Sequence, residues 1–299
     1  MFELIPELTP KLIARLDHLR MRSKREFAGM SRGSHLSPRR GSSLEFSDFR
    51  PYALGDDFRY IDWGLYARTD KFYVKLFKEE EDLLTYIFLD DSASMAYPAA
   101  DNKFRAAVAI ALALAYVALS EGDRVMLRML SGRPVPTAAA FVQGRSRIAE
   151  LARALVQFKP TGALDLAAAL ARELILIKRA GKVFVVSDFL MLFNSIRRGL
   201  GLFAAANMDV GAIQVLGASE LKGQGINGQA ELIDAETGER LRLSVSEKER
   251  ARYHETLLRL AREIRAVCLR QGMRYAFYNT GESFEEFFIK AAAQLDLVN

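Results

Sequence analysis

The chain has 299 residues, half of them apolar, and a mean hydropathy of +0.01, enough for a full buried core with a smaller accessory unit. Its one cysteine, Cys268, excludes an internal disulfide framework and a cysteine-based zinc site. The net charge of +5 is uneven, because Arg20, Arg22, Lys24, Arg25, Arg32, Arg39 and Arg40 stand against Glu26 alone, among glycines and serines. Such a run reads as a solvated basic loop, with nucleic acid, an acidic membrane face or an acidic protein as the partners its charge would suit. No aromatic platform interleaves with the arginines, which speaks against a single-strand nucleic-acid groove.

In chain order, Thr9-Pro10 is an N-cap and N1 pair opening a short helix through Leu12, Ile13, Leu16 and Leu19. The eight residues before it lack a basic leader, an apolar core and a cleavage site, so a cytoplasmic location is expected. Residues 45–70 are dense in aromatics, arginines and aspartates with little period. Pairing of Arg50, Arg59 or Arg68 with Asp56, Asp57 or Asp62 would let them fold tightly, with Trp63 as buried packing area. Lys71 to Lys78 then alternates as a strand.

From residue 84 strands alternate with helices, the rhythm of a mostly parallel sheet covered on both faces. Strand 84–90 is followed by a helix from about Lys103 to Ser120 with Asp101 as N-cap. Its apolar run, Ala106 to Leu119, falls short of the roughly 20 residues a membrane helix needs and reads as a buried helix. Next come a strand at Arg124–Leu130, an edge stretch to Gln143, and helices near Arg145–Phe158 and Asp165–Arg179. A strand at Lys182–Ser187, a helix at Phe193–Ala205 and a strand at Val210–Leu216 follow. A hairpin at 229–243 turns around Glu236-Thr237-Gly238. Helix 246–271 puts Tyr253, Leu257, Leu260, Ile264, Val267 and Cys268 near one face, making Cys268 a packed core thiol, and Arg274–Tyr278 closes the sheet. The expected organisation is therefore residues 1–80 as helix, basic loop and accessory segment, and residues 81–299 as a doubly wound, Rossmann-like α/β domain with a hairpin insertion at about 218–245.

An open parallel sheet presents its ligands at the carboxyl edge of its strands. There strand 84–90 runs into Asp90-Asp91-Ser92-Ala93-Ser94, whose i, i+2, i+4 spacing can aim one carboxylate and two hydroxyls at a point. Such hard oxygen donors suit Mg2+, with Mn2+ or Ca2+ as substitutes, rather than zinc. Asp and Ser are equally ordinary turn and N-cap residues. Asp188 leaves a second strand end. If the two strands are neighbours, both carboxylates face one crevice, and the loop Pro160–Asp165 can contribute a third arm.

Asp90-x-Ser92-x-Ser94 with Met95, and Val185-Val186-Ser187-Asp188, resemble the metal-ion-dependent adhesion site (MIDAS) of von Willebrand factor A domains. The upstream run Glu45-Phe46, Arg50-x-Tyr52, Gly55-Asp56-Asp57, Arg59, Ile61-Asp62-Trp63 and Ala67-Arg68 resembles the bacterial domain-of-unknown-function family 58, which carries such a domain. The resemblance covers roughly residues 25 to 217. It implies a Rossmann-like sheet with Mg2+ at its top, a role in protein assembly, and a MoxR-type AAA+ ATPase as partner. Asp90, Ser92 and Ser94 match its first ligand loop and Asp188 its last. In the middle loop Gly162-Ala163-Leu164-Asp165 departs from the family's Gly-Gly-Thr-Asp, so a leucine stands at the coordinating threonine. Thr161, Asp165 or water would have to substitute.

The mechanism implied is recognition without turnover, in which an under-neutralised cation takes an Asp or Glu from a partner. A metal-dependent phosphohydrolase or nuclease is the alternative, and a basic nucleic-acid-associated protein the third. Against the hydrolase, His18, His35 and His254 lie outside the strand-end loops, and Ser92 replaces the second carboxylate of an Asp-x-Asp pair. No phosphate loop of the Gly-x4-Gly-Lys type occurs. Gly223-Gln-Gly225-Ile-Asn-Gly228 leads into strand-like sequence, not the helix a dinucleotide site needs.

Overall fold

The structure, a computed structural model, describes residues 4–21, 45–78, 83–133, 141–223, 228–233 and 240–298. Most of the basic run, His35 and the turn around Thr237 lie outside them. The first elements are α1 (Pro10–Leu16), β1 (Arg20–Met21), β2 (Glu45–Pro51), α2 (Trp63–Thr69), β3 (Tyr73–Lys78), β4 (Leu84–Leu89), α3 (Lys103–Ser120), β5 (Arg124–Met129) and β6 (Val142–Gln143). They continue with α4 (Ile148–Val156), α5 (Leu166–Leu176), β7 (Lys182–Ser187), α6 (Phe193–Ala205), β8 (Asp209–Leu216) and α7 (Ala218–Lys222). The last are β9 (Gly228–Ile233), β10 (Arg240–Val245), α8 (Glu247–Arg270), β11 (Arg274–Asn279), α9 (Phe284–Gln294) and β12 (Leu297–Val298). Two units result, Met1–Phe27 with Leu83–Asn299, and Ala28–Asp82.

The larger unit is built on a six-stranded sheet in the order β11-β8-β7-β4-β5-β6, parallel throughout except for the antiparallel edge strand β6. This is a mixed α/β, Rossmann-like arrangement. Every residue of β4, β7 and β8 is buried, which is why their sequences are mostly apolar without alternation: strands covered on both faces have no solvent side to mark, and the polar residues among them, Thr85, Lys182, Ser187, Asp209 and Gln214, are buried too. Ile87 and Leu89 face the core formed with α1, α3, α4 and α9, while Tyr86 and Phe88 face the one formed with α5, α6 and α8. Gly211 stands opposite Phe184 in the β7–β8 register, and a Cβ there would lie 2.9 Å from the Phe184 ring.

Helix α3 is the central buried element, with every residue from Ala106 to Leu119 buried. With its preceding turn it is long and apolar enough by composition to cross a membrane, but 83 % of that window lies inside the fold. Helix α1, grouped by sequence with the first 80 residues, instead packs Leu12 and Leu16 into the α3 core. Strand β1 pairs with β12, so both ends of the described chain close on this unit. Cys268 is buried, and burial pushes its thiol up to about 12. Tyr253, expected on the packed face of α8, is 39 % exposed. Helix α9, unforeseen in the sequence, buries Phe284, Phe287 and Phe288 behind a Ser283 N-cap.

In the smaller unit, residues 45–70 are more regular than their composition suggests. Strands β2 and β3 form an antiparallel hairpin, and a register shift between Phe46 and Asp48 breaks the period of two that would have marked β2. Asp62 caps α2 by accepting from the Leu65 N–H and pairs with Lys75. Arg50 pairs with Asp56 and Arg59 with Asp57, whereas Arg68 donates to the Gly64 carbonyl and not to an aspartate. Trp63 is 58 % exposed, set edge-on to Tyr66 and Phe72, so it is not the buried packing residue its size suggests.

Candidate functional site

Strands β4 and β7 are neighbours, with Leu89 opposite Val186, so their carboxyl ends put Asp90 beside Ser187 and Asp188. The Asp90 N–H continues the ladder to the Val186 carbonyl at 2.9 Å. Beyond the strand, Asp90 Oδ1 accepts from the Ser92 N–H at 2.8 Å, and Oδ2 accepts from Ser187 Oγ at 2.5 Å. This folds the loop back so that Ser92 Oγ and Ser94 Oγ lie 3.1 Å apart. Phe189, buried with φ +53°, turns the chain sharply after Asp188, a left-handed conformation that costs about 1–2 kcal/mol outside glycine.

The middle loop joins this loop through its backbone. The Thr161 N–H donates to the Asp91 carbonyl and the Ala93 N–H to the Gly162 carbonyl. Three loops thus meet at one edge of the sheet. Asp91, adjacent to the candidate ligands, is spent on structure: it accepts from Ser131 N and Oγ and pairs with Arg133. Asp165 caps α5, its Oδ1 accepting from Ala167 N, Ala168 N and Ser195 Oγ; the Ser195 bond above all lowers its pKa. It lines a groove of about 1280 Å3 between α5 and α6, together with Leu164, Leu192, Ser195 and Arg198. Leu164 packs its side chain against the sheet core. Of the two middle-loop candidates, the Thr161 hydroxyl is exposed beside the first loop, and the Asp165 carboxylate is turned to its helix.

Two residues that sequence reasoning passed over complete the surroundings. Lys103, the first residue of α3, is buried, and its Nζ donates to Asp188 Oδ2 at 2.9 Å and Glu220 Oε1 at 3.0 Å. Asp188 Oδ1 accepts from the Leu190 N–H, and its carbonyl from Gln214 Nε2, which Tyr275 holds in turn. Asp101 does not cap α3; that position is Asn102, in a left-handed conformation. Asp101 instead accepts from Ser219 N, Ser219 Oγ and Glu220 N at the start of α7, fixing Glu220.

The electrostatics separate the two aspartates. Burial first, then the Asp188 charge, pushes the Asp90 carboxyl up to about 7, against hydrogen bonds from Ser187 and Ser92. Burial also works against the charge of Lys103, but Asp188 and Glu220 outweigh it and hold the ammonium above its usual value. The Asp90 side of the edge is therefore an anionic position short of a cation, while the Asp188 side has one. By donor chemistry, one carboxylate and two hydroxyls fit a hard divalent ion. Among the described residues no three Asp, Glu, His or Cys side chains converge, so the hydroxyls would have to carry much of the coordination.

The fold and this edge define an α/β protein with an oxygen-lined site at the carboxyl end of its central strands. The chain belongs to the family described as protein of unknown function DUF58, which matches residues 48–263. Uncharacterized proteins of Mycobacterium bovis and Mycobacterium tuberculosis are 31 % identical over 233 residues, 77 % of this chain and 72 % of theirs. Among solved structures, the conserved hypothetical protein BatB of Bacteroides thetaiotaomicron aligns with a TM-score of 0.40 at 12 % identity, over 72 % of this chain and 98 % of that one. An aerotolerance-related membrane protein of Bacteroides fragilis aligns with a TM-score of 0.38 at 13 % identity, over the same shares.

Proposed function

We propose that the protein is a non-enzymatic interaction module with a von Willebrand factor A-like sheet, in which Mg2+ held by Asp90, Ser92 and Ser94 binds a carboxylate of a partner protein. The supporting observation is the pair of hydroxyls, Ser92 and Ser94, 3.1 Å apart beside a buried carboxylate whose charge lacks compensation. A donor set with so little negative charge leaves a bound ion electrophilic, and Mg2+ readily keeps water at the remaining positions until an Asp or Glu displaces one. Asp188 lies beside Asp90, and Thr161 is the free hydroxyl on the middle loop where Leu164 offers none. A MoxR-type AAA+ ATPase is the partner we propose, on the family resemblance alone, with assembly or maturation of a protein complex as the process.

The test is a capture experiment from native lysate with the full chain, with Mg2+ or with EDTA, comparing wild type and Asp90→Ala. Partners should be retained only by wild type with Mg2+. The same partners in all arms would contradict a metal bridge. A phosphohydrolase would release phosphate from generic phosphoesters with Mg2+ or Mn2+ and lose that activity in Asp90→Ala; no release is expected.

A further inference from the structure

Lys103 is out of place as an ordinary lysine. Its side chain has no solvent exposure, and the two carboxylates that hold it, Asp188 and Glu220, are at most 9 % exposed. Burying an ammonium is costly unless it is paired and hydrogen-bonded, so the fold must hold its partners firmly. Glu220 Oε2 accepts from the Gly217 N–H, while Asp101 fixes the backbone of α7. A Cβ at Gly217 would fall 2.0 Å from Asp101 Oδ2, so glycine is what lets that carboxylate approach. Asp188 is fixed on its other side by Leu190 and Gln214.

We infer that the Lys103 ammonium is an internal rival of the divalent ion: it claims Asp188, so that the ion is held through Asp90, Ser92 and Ser94 while Asp188 is withheld. This rests on the cation reading of the preceding section and adds to it what sets the ion's affinity. An ion drawn toward Asp188 meets a like charge hydrogen-bonded to the same carboxylate, in surroundings where charges are poorly screened. It is bound more weakly than Asp90 and Asp188 together would hold it. It is also less neutralised, and so more attractive to an incoming carboxylate. Glu220, the second partner of the ammonium, keeps Lys103 in place when Asp188 is contested.

The prediction is read by calorimetric titration of the full chain with Mn2+ alone, in wild type, Lys103→Met, Lys103→Met/Glu220→Gln and Asp90→Asn. Removing the ammonium should tighten Mn2+ binding by about tenfold or more, since a buried like charge is removed, and Asp90→Asn should abolish it. The double variant leaves only Asp188 without its partner and gives the same answer if the single variant does not fold. Binding no tighter in either variant, with wild type binding and Asp90→Asn not, would overturn the inference and leave the cation site standing. Absence of Mn2+ binding in wild type and both lysine variants would overturn the cation site and the inference with it.

Discussion

Lys103→Met is expected to lower the unfolding free energy by about 3–5 kcal/mol in the presence of EDTA, the usual cost of breaking a buried ion pair from one side. The loss comes from what remains. Asp188, buried, and Glu220, its side chain only 9 % exposed, would be left with no cation, Asp188 beside a further carboxylate at Asp90. Adding Glu220→Gln removes one of the stranded charges and should recover part of the loss. Mn2+ should recover part as well, because a ligand that binds only the folded chain stabilises it by mass action. Urea denaturation of the three proteins, with and without Mn2+, reads all of this. A loss under about 1 kcal/mol would place Lys103 among surface-like ion pairs and remove its structural importance.

Asp90→Asn is expected to stabilise the chelated protein at alkaline pH and do little at acid pH. The amide keeps the shape of the carboxylate and an acceptor for the Ser92 N–H. The sign follows from the direction of the shift. The folded-state value, about 7, lies above the usual 3.8, so the folded protein holds the Asp90 proton more tightly than the unfolded chain. The stabilisation is complete below about pH 4 and is lost as pH rises through 7. At about 1.4 kcal/mol per unit, a shift from 3.8 to about 7 allows a fall of at most roughly 4 kcal/mol in wild type relative to Asp90→Asn. Saturating Mg2+ should flatten the difference, since the ionised carboxylate then has its counter-charge. Unfolding curves of both proteins at pH 4, 6 and 8 in EDTA check the slope. Parallel stability profiles would show that Asp90 ionises without penalty.

Much of the architecture was legible in the sequence because burial on two faces writes itself as continuous apolar strands. Residues 84–89, 182–187 and 209–216 come close to such runs, interrupted only by Thr85 and Gln214 and by polar residues at the ends of the second and third, and their spacing leaves room for helices between. The first ligand loop was legible for the same reason, as an abrupt change from apolar to oxygen-bearing residues at Asp90. The adjacency of β4 and β7 was not, because strand order is a choice of topology on which local pattern is silent. Lys103 and Glu220 escaped because their bond spans 117 residues, and a lysine opening a helix reads as solvated. Asp101 looked like a cap because it precedes a helix, but it caps a different one, brought near only by the fold. Helix α9 did carry a signal, with Ser283 three residues before Glu286 and phenylalanines at 284, 287 and 288. The bulge in β2 and the exposed Trp63 show the opposite failure, where composition stood in for a pattern that backbone pairing had interrupted.

The most direct test of the proposed cation site is paramagnetic resonance of Mn2+ titrated into the full chain, wild type against Ser92→Ala/Ser94→Ala. Apart from the Ser92 bond to Asp90, these hydroxyls bond to each other, so their loss removes fewer anchors than that of Asp90, Asp91 or Lys103 and should leave the fold intact. Wild type should bind a single Mn2+ whose signal responds to added acetate, and the double variant should leave the ion free in solution. Equal binding by the two proteins, or none by wild type, would contradict a cation held at the end of the central strand.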